Sequence, residues 1–293
     1  MNDRWRGSVL VLFSALAYGF LPIFARLAYG SGVGVQELLV VRFALSFLIM
    51  GVFLGLKGKI SIPSRNQFLV LLGLGGIGYF LLSILYFTAL LYIPVSVVVL
   101  VFHTYPAFVV VGSFALGWER VSTRVILSLL LALMGLALVA NPAFNLEVIG
   151  LLMALGSAIA YTCYILVSTR ALKGLSGEVA SLHVIGASAL SFGISGSLTG
   201  SLQIVWNFEA WLWVLMIAII STTIAITTFF QGLKLIGPSR TSILSTMELI
   251  TSVVAAFIIF HELLNLTQLL GGLLILFAII LAAIPENSRK GKI

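Results

Sequence analysis

Charge is what this chain lacks most. Only 9% of its 293 residues are Asp, Glu, Lys or Arg, against roughly a quarter in soluble domains. A further 61% are hydrophobic, and the mean hydropathy is +1.20. So few charges cannot cover a surface exposed to water, which excludes a soluble globular fold and makes lipid the solvent. Cysteine is reduced to a single residue, Cys163, so neither a disulfide framework nor a cysteine-based metal site is available. There is no Walker-type phosphate loop, no His-Glu-x-x-His and no Cys/His cluster, which argues against ATP-driven transport and zinc-dependent proteolysis. No cofactor, no metal and no enzymatic activity are expected. The formal charge of +7 would suit nucleic acid only if it formed a basic face. The Lys and Arg residues instead stand singly between apolar runs, so no nucleic-acid partner is expected.

What is abundant is long apolar sequence. A helix needs about 20 apolar residues to cross the hydrocarbon. Ten runs meet or approach this, at 8–29, 35–56, 67–91, 95–117, 122–140, 148–169, 178–199, 209–233, 238–260 and 267–284. The connections are short and rich in breakers, such as Gly30-Ser31-Gly32, Pro63-Ser64, Ile93-Pro94, Asn141-Pro142 and Gly237-Pro238. Fourteen of the sixteen basic residues fall before the first run or after the even-numbered ones, from Arg4 and Arg6 to Lys290 and Lys292. The alternate loops carry Glu147, Glu209 and Glu262 instead. The positive-inside bias then predicts a multi-pass protein of the cytoplasmic (inner) membrane with both termini in the cytoplasm.

The sequence also matches itself at a shift of 143 positions. Ser14-Ala15-Leu16-Ala17-Tyr18 falls on Ser157-Ala158-Ile159-Ala160-Tyr161. Phe87, Ile93, Ser96 and Glu119 fall on Phe230, Ile236, Ser239 and Glu262. Two repeats are expected, 1–143 and 144–293. Each holds five runs, an odd number, so the second repeat enters the membrane from the opposite side. The expected fold is an all-α polytopic membrane protein, ten transmembrane helices forming two inverted five-helix repeats around a central cavity. Inverted repeats are a hallmark of transporters with a substrate site near the midplane.

On these residues the chain resembles the drug/metabolite transporter superfamily, in particular its ten-helix EamA-type exporters. The carriers are the two Ser-Ala-x-Ala-Tyr segments, Arg42-Phe43, Thr104-Tyr105-Pro106 with Glu119, and Glu248 with Glu262. The resemblance implies two inverted five-helix repeats, export as the direction, and a small organic metabolite such as an amino acid as substrate. Where the family commonly has Pro after the acidic residue of span nine, this chain has Leu249.

Ionisable groups inside a span are costly and mark function. Glu248 lies about nine residues into span nine, about 14 Å deep at the helical rise; His103 lies at a similar depth in span four. Burial favours the neutral form of a carboxylic acid, so Glu248 is expected to load and release a proton or bind a substrate amine. Alternatively it glues the bundle through Ser245 or Thr246. His103 is expected to share that proton or to bond the substrate. Arg42 offers a donor fork for a substrate carboxylate, or else pairs with Glu37 or snorkels outward; Arg26 reads as a snorkelling rim residue. Tyr79 and Tyr86 share one face of span three, Tyr18 and Tyr161 are equivalent by the repeat, and Tyr105 stands level with Glu248. These eight residues, His103, Glu248, Tyr79, Tyr86, Tyr105, Tyr18, Tyr161 and Arg42, form the expected substrate site. Gly73, Gly75, Gly76, Gly78, Gly150 and Gly156 are expected at close helix approaches, and the five Trp residues at the membrane interfaces. The function expected is secondary transport by alternating access with protons as a candidate co-substrate, in a monomer or weak homodimer. A passive facilitator of the same fold and a non-transporting sensor or subunit are the alternatives.

Overall fold

The computed structural model describes residues 3–89, 91–93, 95–118, 122–139, 147–200, 202, 204–260 and 266–283. Within them the chain is helical, with no strand. In the first half, α1 (Asp3–Gly19) and α2 (Leu21–Gly30) run end to end, followed by α3 (Val35–Leu56). Next come α4 (Arg65–Gly73), a π-helical turn π1 (Leu74–Tyr79) and α5 (Phe80–Ala89), then α6 (Val95–Phe102), α7 (Tyr105–Ala115) and α8 (Thr123–Val139). The second half holds α9 (Val148–Ala171), α10 (Gly177–Thr199), α11 (Phe208–Ala218), π2 (Ile219–Ile224) and α12 (Ala225–Ile236). It closes with α13 (Pro238–Leu244), α14 (Met247–Phe260) and α15 (Leu266–Ala283).

Seven of these stretches are long and apolar enough to cross a membrane: 3–30, 35–56, 65–89, 148–171, 177–199, 208–236 and 238–259. Two apolar helices, Tyr105–Ala115 and Thr123–Gly135, are shorter. Ends are set by local chemistry. Ser64 accepts from the Gln67 amide and Asn207 from the Ala210 amide, both satisfying otherwise orphaned first-turn donors. The Gly34 amide donates to the Glu37 carboxylate. Pro22 and Pro106 lack the N–H that would continue the preceding helix, and the chain breaks just before each, at Phe20 and at His103–Thr104. A third break, at Ser245–Thr246, has no proline nearby in the helix. Leu249 therefore does not leave this region a straight helix, because the interruption lies upstream of it.

Small polar residues stitch the bundle where backbones meet. Ser14 donates to the Ala225 carbonyl at 2.7 Å and Ser157 to the Leu82 carbonyl at 2.8 Å. These two bonds are mates: adding 143 to the serine and subtracting it from the carbonyl residue converts one into the other. Glycine contacts repeat the pattern. A Cβ on Gly7 would meet Ile236 and Leu235, and one on Gly150 would meet Ile93 and Tyr92 at the same displacement. The Gly75 carbonyl accepts from Ser188, and the Ala218 carbonyl, 143 residues on, accepts from Ser46.

Of the span-three glycines, Gly75 lies against the Val184 backbone, whereas a Cβ on Gly73 would meet nothing within 4 Å. Close approach therefore accounts for Gly75 and Gly150 and not for Gly73. Trp206 and Trp213 donate to the Glu37 and Glu209 carboxylates, and Trp118 stacks on Arg170. Glu119, Arg120, Asn141, Pro142, His261, Glu262 and the basic residues from Arg289 onward lie outside the described residues.

Candidate functional site

A cleft with about 440 Å³ of empty space, open solvent included, lies where α1, α2, α3, π1, α5, α6, α9 and α14 converge. The broken and π-helical stretches build it. The Phe20 break aims Tyr18 and Leu21 at it, π1 ends on Tyr79, and α6 ends on Phe102. Six of the eight residues expected from sequence line the cavity: Tyr18, Arg42, Tyr79, Tyr86, Tyr161 and Glu248. The Tyr18 and Tyr79 hydroxyls are hydrogen-bonded at 3.2 Å. Tyr79 packs edge-on against Phe43 and Tyr164, and Tyr86 edge-on against Phe102, which stacks on Tyr161.

Arg42 is only 1% exposed, so it does not snorkel outward. Its Nε donates to Thr222 Oγ1 at 2.6 Å, and one terminal nitrogen reaches the Ser221 carbonyl at 3.5 Å. Thr222 can accept in this direction because its own hydroxyl donates to the Ile217 carbonyl five residues back. Thr223 does the same to Ala218, and these bonds stand beside the wider turn of π2. The guanidinium is thus held from behind while the cavity reaches it from the front. Glu248 faces the same space from α14. Among the described residues its carboxylate accepts no hydrogen bond; Ser252 bonds its backbone carbonyl instead. A guanidinium and a carboxyl group therefore share a chamber walled by aromatic rings.

His103 and Tyr105 are not brought to the cavity. His103 is 1% exposed, and its Nδ1–H donates to the Val99 carbonyl at 2.8 Å, since a carbonyl can only accept. Its Nε2 is buried without a partner. Tyr105 is fully buried, edge-on to Tyr161, with its hydroxyl toward the Ser242 carbonyl at 3.4 Å. The helix break at His103–Thr104 turns both into the packing and leaves Phe102 as the wall. Arg26 is exposed, and His183 bonds the Val179 carbonyl and meets Phe68 edge-on.

Sequence reading overlooked Leu21, Leu82, Ser83, Phe87 and Phe102. Helical spacing from Tyr79 and Tyr86 would have reached the intervening Leu82 and Ser83; Leu21 and Phe102 carry no signal within an apolar run. Thr222 was equally hidden, because its role follows from π2.

Comparison with known proteins agrees with this architecture. The EamA-like transporter family matches residues 5–141 and again residues 148–284, two stretches offset by 143. An uncharacterized transporter of Archaeoglobus fulgidus is 27% identical over 276 residues, covering 94% of this chain and 96% of that one. A protein known from its crystal structure superposes with a TM-score of 0.81 at 21% identity, over 94% of this chain and 96% of that one, which is a likeness of fold. With its repeat matched twice and nearly its whole length covered, the chain belongs to the EamA-like transporter family of the drug/metabolite transporter superfamily.

Proposed function

We propose that this multi-pass transporter carries a zwitterionic amino acid or a close relative by alternating access. The observation that carries the reading is that Arg42 and Glu248 line the same aromatic-walled cavity. Arg42 takes the substrate carboxylate with its donor fork. Glu248, unpartnered among the described residues, takes the ammonium. The ring faces of Tyr18, Tyr86, Phe102 and Tyr161 receive the side chain, a task that suits apolar faces with polar tips. Both charges of the solute are matched, so the desolvation that would otherwise bar it from the membrane interior is offset.

The ten crossings, their inversion and the division at residues 143 and 144 belong to the same reading. The paired serine bonds and the paired glycine contacts support it, because a two-fold that exchanges halves converts each into its mate. The concentration of Lys and Arg at alternate ends supports cytoplasmic termini and the inner membrane. Export is the direction the family likeness favours, and Glu248 is the group through which protons couple.

Competition in proteoliposomes tests the substrate class. A labelled neutral amino acid is displaced by other zwitterions, and not by the amine lacking the carboxylate or the acid lacking the ammonium. Equal displacement by either singly charged analogue overturns the assignment of Arg42 and Glu248.

A further inference from the structure

The same 143-residue relation that pairs the contacts also assigns the chamber through which substrate meets the other side of the membrane. Applied to the cavity lining, it carries Leu21 to Tyr164, Tyr79 to Thr222, Ser83 to Ile226, Tyr86 to Phe229 and Phe87 to Phe230. These five target residues are not scattered. Phe230 stacks on Tyr164 at 6.0 Å and lies against Phe229, which packs on Tyr161. All five are nine-tenths or more buried. Tyr164, Ile226, Phe229 and Phe230 belong to one closed apolar cluster, and Thr222 is buried beside Arg42.

We infer that Tyr164, Thr222, Ile226, Phe229 and Phe230 line a second, cytoplasm-facing substrate chamber that is shut in this conformation. The inference rests on the alternating-access reading above and extends it to named residues. Three features support it. The Tyr164 hydroxyl is buried with no hydrogen-bond partner, a costly arrangement in a permanent core that water or substrate relieves when the cluster parts. One turn along α9, Ser168 repeats this: its hydroxyl is fully buried and equally unpartnered. The shut cluster also has a clasp that its mate lacks. Gln231 donates to Glu178 at 2.8 Å, and Lys234 donates to the Leu175 carbonyl at 2.7 Å. The corresponding positions of the open half, Thr88, Val35, Leu91 and Gly32, offer no such bonds between side chains.

Two residues keep their place in both chambers. Tyr18 and Tyr161 map onto each other, so either state presents the same pair to the substrate.

The single natural cysteine, which is exposed, makes the test direct. In a Cys163→Ser parent that transports, Ile226→Cys and Phe230→Cys are treated with a membrane-impermeant maleimide on right-side-out and inside-out vesicles. Both are expected to react from the cytoplasmic face alone, and Ser83→Cys from the outer face alone. Tyr164→Phe, which removes no hydrogen bond present in this state, is expected to slow transport by about two- to tenfold, the worth of one hydroxyl bond, while raising the thermal stability of this state by relieving the unpartnered hydroxyl. Failure of Ile226→Cys and Phe230→Cys to react from the cytoplasmic face, with Ser83→Cys labelled from outside and the parent active, overturns the second chamber alone. An inactive parent, or a Ser83→Cys unreachable from outside, overturns the transport reading beneath it.

Discussion

Arg42 of α3 and Thr222 of π2 are 180 residues apart in sequence and joined by a 2.6 Å hydrogen bond. The bond ties Arg42, to which the proposal assigns the substrate carboxylate, to π2, where helical hydrogen bonding widens. Thr222→Val leaves a buried charged donor without its acceptor, a loss of about 1–3 kcal/mol. We expect a lower melting temperature in detergent and a raised KM for transport, both restored by Thr222→Ser. Unchanged kinetics in Thr222→Val would show that Arg42 needs no support from π2.

Arg42→Lys keeps the charge and removes the planar fork. Bidentate recognition of a carboxylate does not survive that exchange, so affinity is expected to fall at least about tenfold, or about 1.4 kcal/mol. Isothermal titration with the transported amino acid reads the change. Affinity equal to that of the unaltered protein would place the substrate carboxylate elsewhere.

Glu248→Gln holds the size of the side chain and removes its capacity to release a proton. Transport by the substituted protein is expected to become independent of an imposed pH gradient, with a raised KM because the substrate ammonium loses its counter-charge. Flux into proteoliposomes with and without the gradient decides it, and persistent gradient dependence rules out proton coupling through this residue.

Gly75 and Gly73 lie two residues apart at the junction of α4 and π1 yet predict opposite outcomes. A methyl group on Gly75 runs into the Val184 carbonyl and Ala187, so Gly75→Ala is expected to cost about 1–3 kcal/mol by overpacking. Gly73 has open space, and Gly73→Ala is expected to gain up to about 1 kcal/mol from helix propensity. Thermal melts of the two variants side by side provide the check.

Lys234→Ala removes one bond of the clasp over the shut cluster. Loss of about 1 kcal/mol shifts a two-state balance about fivefold toward the cytoplasm-open form, read as faster labelling of Ile226→Cys from that face. No change in rate would make the clasp incidental.

The positions of the helices were legible because lipid imposes a length on every crossing, and the apolar runs from 35–56 to 178–199 nearly coincide with helices. Interruptions were legible only where a proline announced them, as at Pro22 and Pro106. Neither π1, π2 nor the Ser245–Thr246 break has such a marker, since each arises from how neighbouring helices press together. The site followed the same division. Arg42 and Glu248 stand out because charge is scarce, and Tyr79 with Tyr86 because their spacing repeats. His103 was singled out for the same scarcity as Glu248, but a backbone carbonyl one turn away claims its Nδ1. Local bonding of that kind leaves no trace in composition.

The mated bonds Ser14–Ala225 and Ser157–Leu82 bear on the energetics of turnover. A motion that exchanges the halves breaks neither and merely gives each the surroundings of the other. These two bonds therefore place no cost on an exchange of the halves, and the bias between end states falls to contacts without a mate, such as the clasp. A machine balanced in this way would add little bias of its own, and under the proposed alternating access its net flow is expected to follow the gradient of its solute.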